Sequence, residues 1–135
     1  MKLLRTVIML SMLLSCIAAI AVEAASVKVT GVYSDMHLHK ETGDMLGMEI
    51  IIIYSAKGYM AIFQSSEGRP SIPITVSASV HGNDIEFTLP GSEGYSGVFK
   101  GKIGRKELIG QFENGQVNYK GERIIKLKSG RSYWQ

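Results

Sequence analysis

The chain has 135 residues, one cysteine and a formal net charge of +3, with 45% hydrophobic and 20% charged residues. That length admits one domain and leaves little room for two, and a lone cysteine excludes a disulfide-stapled scaffold. A charge this close to balance, with no concentrated basic run, argues against nucleic acid as a partner.

Residues 1–24 read as a signal peptide. Lys2 and Arg5 make a positive start, "VIMLSMLLSCIAAIAV" (residues 7–22) is an apolar core, and "VEA" ending at Ala24 offers small and aliphatic residues to a signal peptidase. A periplasmic or secreted location follows. The apolar run is too short, and wrongly flanked, to predict a transmembrane segment in the processed chain. "LLSC", ending at Cys16, also resembles the lipobox of bacterial lipoproteins, whose cysteine carries a lipid anchor. The mostly apolar residues that follow it are unlike a polar tether and favour processing at Ala24. Residues 25–135 are then a single domain without cysteine, stabilised by an apolar core. Its charge is uneven: residues 25–94 hold four basic and eight acidic side chains, and residues 95–135 hold nine and three. Such an asymmetry either produces a basic patch that meets acidic glycan, phospholipid or a partner protein, or, the preferred reading, lets acidic and basic strands of an antiparallel fold pair across the surface.

In chain order, "SVKVTGVY" from Ser26 alternates weakly, with Gly31 marking a bend. "DMHLHKETGDMLGME" (residues 35–49) reads as a long polar connection, with "ETGD" as a turn. "MEIIIIYS" from Met48 is a β-branched block that turns at Lys57–Gly58 into "YMAIFQSS". Its four isoleucines put apolar groups on both faces, so the strand is either covered twice or meets something else on its outer side. "IPITVSASVH" (residues 72–81) is the clearest strand. Ile72, Ile74, Val76, Ala78 and Val80 share one face, and "GND" turns the chain into "IEFTL", where Ile85, Phe87 and Leu89 return to the core.

Downstream, "GVFKGKIGRKELIGQFENG" reads as strand, turn, strand. Phe99, Gly101 and Ile103 share one face, and Leu108, Gly110 and Phe112 another. A glycine between two large inward residues on adjacent strands suits the sharp coiling of a small barrel. "ERIIKLKSG" supplies the last strand, and "SYWQ" is expected to dock that strand on the first, with Trp134 plugging one end. About eight short strands and no helical period predict an all-β fold, a small antiparallel up-and-down barrel, with a two-sheet sandwich as the alternative. Eight strands close around an interior that is either filled or holds one small ligand.

The hairpins of the second half, with their Gly-x-Phe-x-Gly spacing, resemble those of calycin-type barrels (lipocalins and avidins) and of small exported bacterial β-proteins. The resemblance implies a barrel. It carries over no ligand-binding residue, and Tyr33 in "TGVYSD" stands where the lipocalin pattern has Gly-x-Trp.

No nucleophile elbow, cysteine nucleophile or His-Glu-x-x-His motif is present, so no enzymatic activity is expected. "GSEGYSG" lacks the lysine of a phosphate-binding loop and reads as a hairpin turn. If residues 35–41 are extended, Asp35, His37 and His39 fall on one face, a donor set for zinc or copper; the bland alternative is a solvated loop without cofactor. Tyr33, Tyr54 and Trp134 join His37 and His39 as candidate ligand-binding residues, because large amphipathic rings are enriched at recognition surfaces. The function expected is non-enzymatic binding of a small apolar ligand or a protein partner. The alternatives are an inhibitor or accessory protein gripping another protein, and a metal-binding protein using the His37/His39 stretch.

Overall fold

The computed structural model describes residues 27–114 and 124–135. The expected signal peptide, Cys16, the first two residues of the expected domain and Tyr119 lie outside the described residues.

Nine strands occur among the described residues: β1 (Gly31–Ser34), β2 (His37–Leu38), β3 (Met45–Ser55), β4 (Gly58–Gly68), β5 (Ile74–His81), β6 (Asp84–Pro90), β7 (Ser96–Ile103), β8 (Glu107–Glu113) and β9 (Ile125–Gly130). Strands β3 to β9 are neighbours in chain order, and β1 lies between β9 and β3, so eight antiparallel strands close on themselves. β2 is an extra strand on β3. The expected up-and-down barrel is therefore the observed one. A sandwich would leave sheet edges that the double pairing of β1 removes.

The hairpins form where the period-two patterns lie. On β5, Ile74 is buried, Val76, Ala78 and Val80 are half-buried, and Thr75, Ser77 and Ser79 face water. Ile72 is 63% exposed and stands before the strand, since Pro73 has no N–H for the ladder. On β3, Ile50 and Ile52 point inward, Ile51 is half-buried and Ile53 is exposed on the outer face. The first strand is shorter than expected. Residues 27–30 run outside any strand, with Val27 and Val29 against the core, and the Tyr33 hydroxyl donates to the Val29 carbonyl at 2.9 Å.

Aromatic rings occupy the interior. Phe87 and Phe99 stack with centroids 4.9 Å apart. Phe112 meets Phe99 edge-on at 5.1 Å and Phe63 at 5.7 Å, and Phe63 meets Tyr95 at 5.4 Å. These are all four phenylalanines of the chain. Such rings bury large areas and prefer these offset and edge-on arrangements. Gly101 and Gly110, paired across β7 and β8, make the room. A Cβ on Gly101 would lie 2.7 Å from Phe99 Cε1, and one on Gly110 would strike the Phe99 ring and come within 2.6 Å of the Lys100 carbonyl oxygen. The interior is filled: Phe63, Phe99, Met48, Ile50, Leu108 and Leu127 leave no exposed surface.

Acidic and basic side chains pair across the outer wall. Lys100 lies 2.8 Å from Glu113 and Lys102 lies 3.5 Å from Asp84. The hydrogen bond from the ammonium group holds the Glu113 carboxyl below its ordinary value and Lys100 above its own.

Gly101→Ala should lower unfolding stability by about 1–3 kcal/mol through overpacking, measured by chemical denaturation. Adding Phe99→Leu should recover part of that loss, because the shortest contact is with the Phe99 ring, although Leu108 Cδ1 also lies at 3.0 Å. It should recover less for Gly110→Ala, where the added methyl also meets backbone.

Candidate functional site

The stretch expected to be a long irregular connection over the barrel mouth is instead a continuation of the β1–β3 ladder. Ser34 faces Glu49 and His37 faces Leu46 with no shift in register. Between them the Asp35 N–H donates to the Met48 carbonyl at 3.1 Å, and the Met48 N–H donates at 2.8 Å to Asp35 Oδ1 rather than to a backbone oxygen. A carboxylate thus substitutes for one rung. The chain crosses tightly over Gly47, where a Cβ would lie 2.7 Å from the Asp35 carbonyl oxygen and where φ is +117°, a region open to glycine. The apparent loop shrinks to residues 39–44, closed by His39 N–H on the Asp44 carbonyl (2.8 Å) and Gly43 N–H on the His39 carbonyl (2.9 Å).

This local structure governs the expected metal ligands. The Asp35 carboxylate is turned into the ladder, so it does not share a face with the imidazoles. His37 Nδ1 donates to the Asp35 carbonyl at 2.8 Å, which leaves its Nε2 with the lone pair. His39 Nδ1 accepts from the Thr42 N–H at 3.3 Å, which puts the proton of neutral His39 on Nε2. The two rings present opposite tautomers. Among the described residues no three His, Cys, Asp or Glu side chains come together as a metal-binding group.

The other candidate residues are scattered. Tyr33 is 2% exposed, and its burial pushes the phenol above its ordinary value. It is a core residue near the end of the barrel where β1 begins. Tyr54 is 69% exposed at that same end and packs edge-on against Tyr59 at 4.9 Å. His37 and His39 sit at the opposite end. Trp134 does not plug the barrel: it is half exposed, and its Nε1–H donates to Gln64 Oε1 at 3.0 Å. Gln64 points outward, since its neighbours Phe63 and Ser65 point in. The aromatic interior leaves no space for an indole plug.

What sequence reasoning missed is the group that holds this terminus. Glu49 is a carboxylate only 2% exposed, facing Gln64 on the outer wall. Its Oε1 accepts the Ser132 hydroxyl at 2.7 Å and its Oε2 accepts the Tyr133 N–H at 3.1 Å. The Ser132 Oγ also accepts the Trp134 N–H at 3.3 Å. Residues 132–134 therefore form a strap across the outside of β3 and β4. The signal available was a single carboxylate inside the isoleucine block.

Beside the strap the same outer face continues with the cross-strand pairs Ile51–Ile62 and Ile53–Met60, and with Val32 next to Ile51. Tyr133 and Trp134, 39% and 51% exposed and edge-on at 5.2 Å, border it. On this apolar wall, rimmed by half-exposed aromatic rings, the fold departs from alternation of apolar inside and polar outside. Comparison with known proteins places nothing beside this chain: no family model, no curated protein and no solved structure matches it.

Ser132→Ala removes a hydrogen bond to a charged group and should cost about 1.5–3 kcal/mol in thermal or chemical unfolding. Zinc or copper(II) should shift the melting temperature of the wild type and of His37→Ala/His39→Ala equally. A shift present only in the wild type would identify a metal site at the hairpin.

Proposed function

We propose that this chain is an exported, non-enzymatic domain that binds another protein through the outer wall of β1, β3 and β4. The observation that carries the reading is the division of apolar surface. Rings fill the interior, where a small apolar ligand would otherwise sit, while Ile53, Tyr133 and Trp134 remain exposed beside Val32, Ile51, Met60 and Ile62. Aromatic and aliphatic side chains in a patch with a polar margin are the composition of a protein interface core. The strap fixes the Trp134 ring through Gln64 and the backbone through Glu49, so an anchor residue is already ordered before a partner arrives. Catalysis is a poorer fit to this surface: its polar groups, Glu49, Gln64 and Ser132, are engaged with one another.

Photo-crosslinking residues placed at Ile53 and, separately, at Thr88 on β6 test the reading in cells that make the protein. Crosslinks from Ile53 alone to one protein of fixed mass, lost when Trp134→Ala is added, are the expected result. A product of twice the chain mass would identify the partner as a second copy. Crosslinks equal from both sites, or none from Ile53, would overturn the assignment, as would a small apolar molecule retained on native mass spectrometry.

A further inference from the structure

Among the described residues, the two ends of the barrel differ in charge. The antiparallel order brings residues 56–57, 82–83 and 104–106 to one end, together with residues 27–30 before β1 and Arg131 after β9. These segments carry Lys28, Lys57, Arg105, Lys106 and Arg131, and no carboxylate. All five cations are exposed, and among the described residues none has an ion-pair partner. Segments 39–44, 69–73 and 91–95 at the opposite end hold two cations and three carboxylates. The nearest acids to the basic end, Asp84 and Glu107, lie on the strands; Asp84 is paired with Lys102, and Glu107 faces Lys128.

We propose that this basic end docks on an anionic phospholipid bilayer. Two features select a bilayer over a soluble polyanion. A groove of about 520 Å³ opens at this end with Val27, Ile103 and Ile109 along its wall, next to Lys102, Arg105 and Glu107, which sets apolar surface beside cations as a phospholipid sets acyl chain beside phosphate. Tyr54, 69% exposed, stands at the same end, and its amphipathic ring suits the headgroup level. Basic groups close to an anionic leaflet attract it within about a Debye length, so docking is reversible by salt.

The full chain is tested by co-sedimentation with phosphatidylcholine vesicles, with and without 30% phosphatidylglycerol. The quantity read is the ratio of partition coefficients on the two vesicles, which cancels any contribution of the apolar run. Each cation near the surface is worth roughly fivefold. Lys57→Ser/Arg105→Ser/Lys106→Ser should therefore reduce the ratio on the order of 100-fold, and 0.5 M salt should reduce it in the wild type. Lys100→Ser/Lys126→Ser on the side wall should change it little. Circular dichroism melts confirm that both variants fold. Lys28→Ser/Arg131→Ser, at separate sites on the same end, gives an independent fall. A wild-type ratio near one would overturn the proposal, as would equal losses from the side-wall variant. So would dextran sulfate binding the chain as tightly as the anionic vesicles do, which would make a polysaccharide the ligand. The result is independent of crosslinking at Ile53, so the two readings stand or fall separately.

Discussion

The ring of Phe99 lies over a pair of glycines, and much of the molecule is arranged around that contact. Gly101 and Gly110 face each other across β7 and β8, and together they give up the volume that the ring occupies. Stacked on Phe87 and met edge-on by Phe112, Phe99 links β6, β7 and β8 into one packed layer, to which Phe63 on β4 connects through Phe112. Packing at this density leaves an eight-stranded barrel with a core and no lumen. The surface open to other molecules is then the outside, because the inside is already occupied by the protein's own side chains.

A second constraint acts on the outside. Glu49 is a charged group almost wholly out of water, a placement that is costly unless its oxygens are bonded. The Ser132 hydroxyl and Tyr133 N–H meet that need, and in doing so they draw the C-terminus across β3 and β4. Trp134 is carried along and secured by Gln64, whose own amide donates to the Ser71 carbonyl at 2.7 Å. One carboxylate thus decides where an indole ring is displayed. Asp35 acts likewise on the neighbouring strand: by accepting the Met48 N–H it kinks the chain between β1 and β2 without breaking the register of either.

The apolar wall and the basic end adjoin, since Ile53 is followed by Tyr54 and the turn at Ala56 and Lys57. A barrel standing on its basic end holds the isoleucine wall perpendicular to the surface beneath it. Side-wall cations contribute less to this asymmetry because Lys100 and Lys102 are engaged by Glu113 and Asp84. Cations in tight turns lack such neighbours, because a turn places no strand alongside them.

Alternation of small polar and apolar residues in β5, β6, β7 and β8 stated the hairpins outright, because a strand half exposed to water must alternate, and the glycines at 101 and 110 announced sharp coiling. The four isoleucines of β3 announced an unusual outer face. These are local consequences of residue type and spacing, legible from the sequence alone. The destinations of Asp35, Glu49 and Trp134 were not, because each depends on a partner distant in the chain or on a backbone crossing: Glu49 and Ser132 are separated by 83 positions, Gln64 and Trp134 by 70. The histidines looked like a ligand pair only while Asp35 was assumed to follow the pleat. Closure of the barrel turned that carboxylate into a backbone acceptor and brought the C-terminus onto the outer wall. The chain's pattern determined an antiparallel barrel; that its interior is filled, which polar groups serve the fold and which apolar ones face outward were decided only when β1 came to rest between β9 and β3.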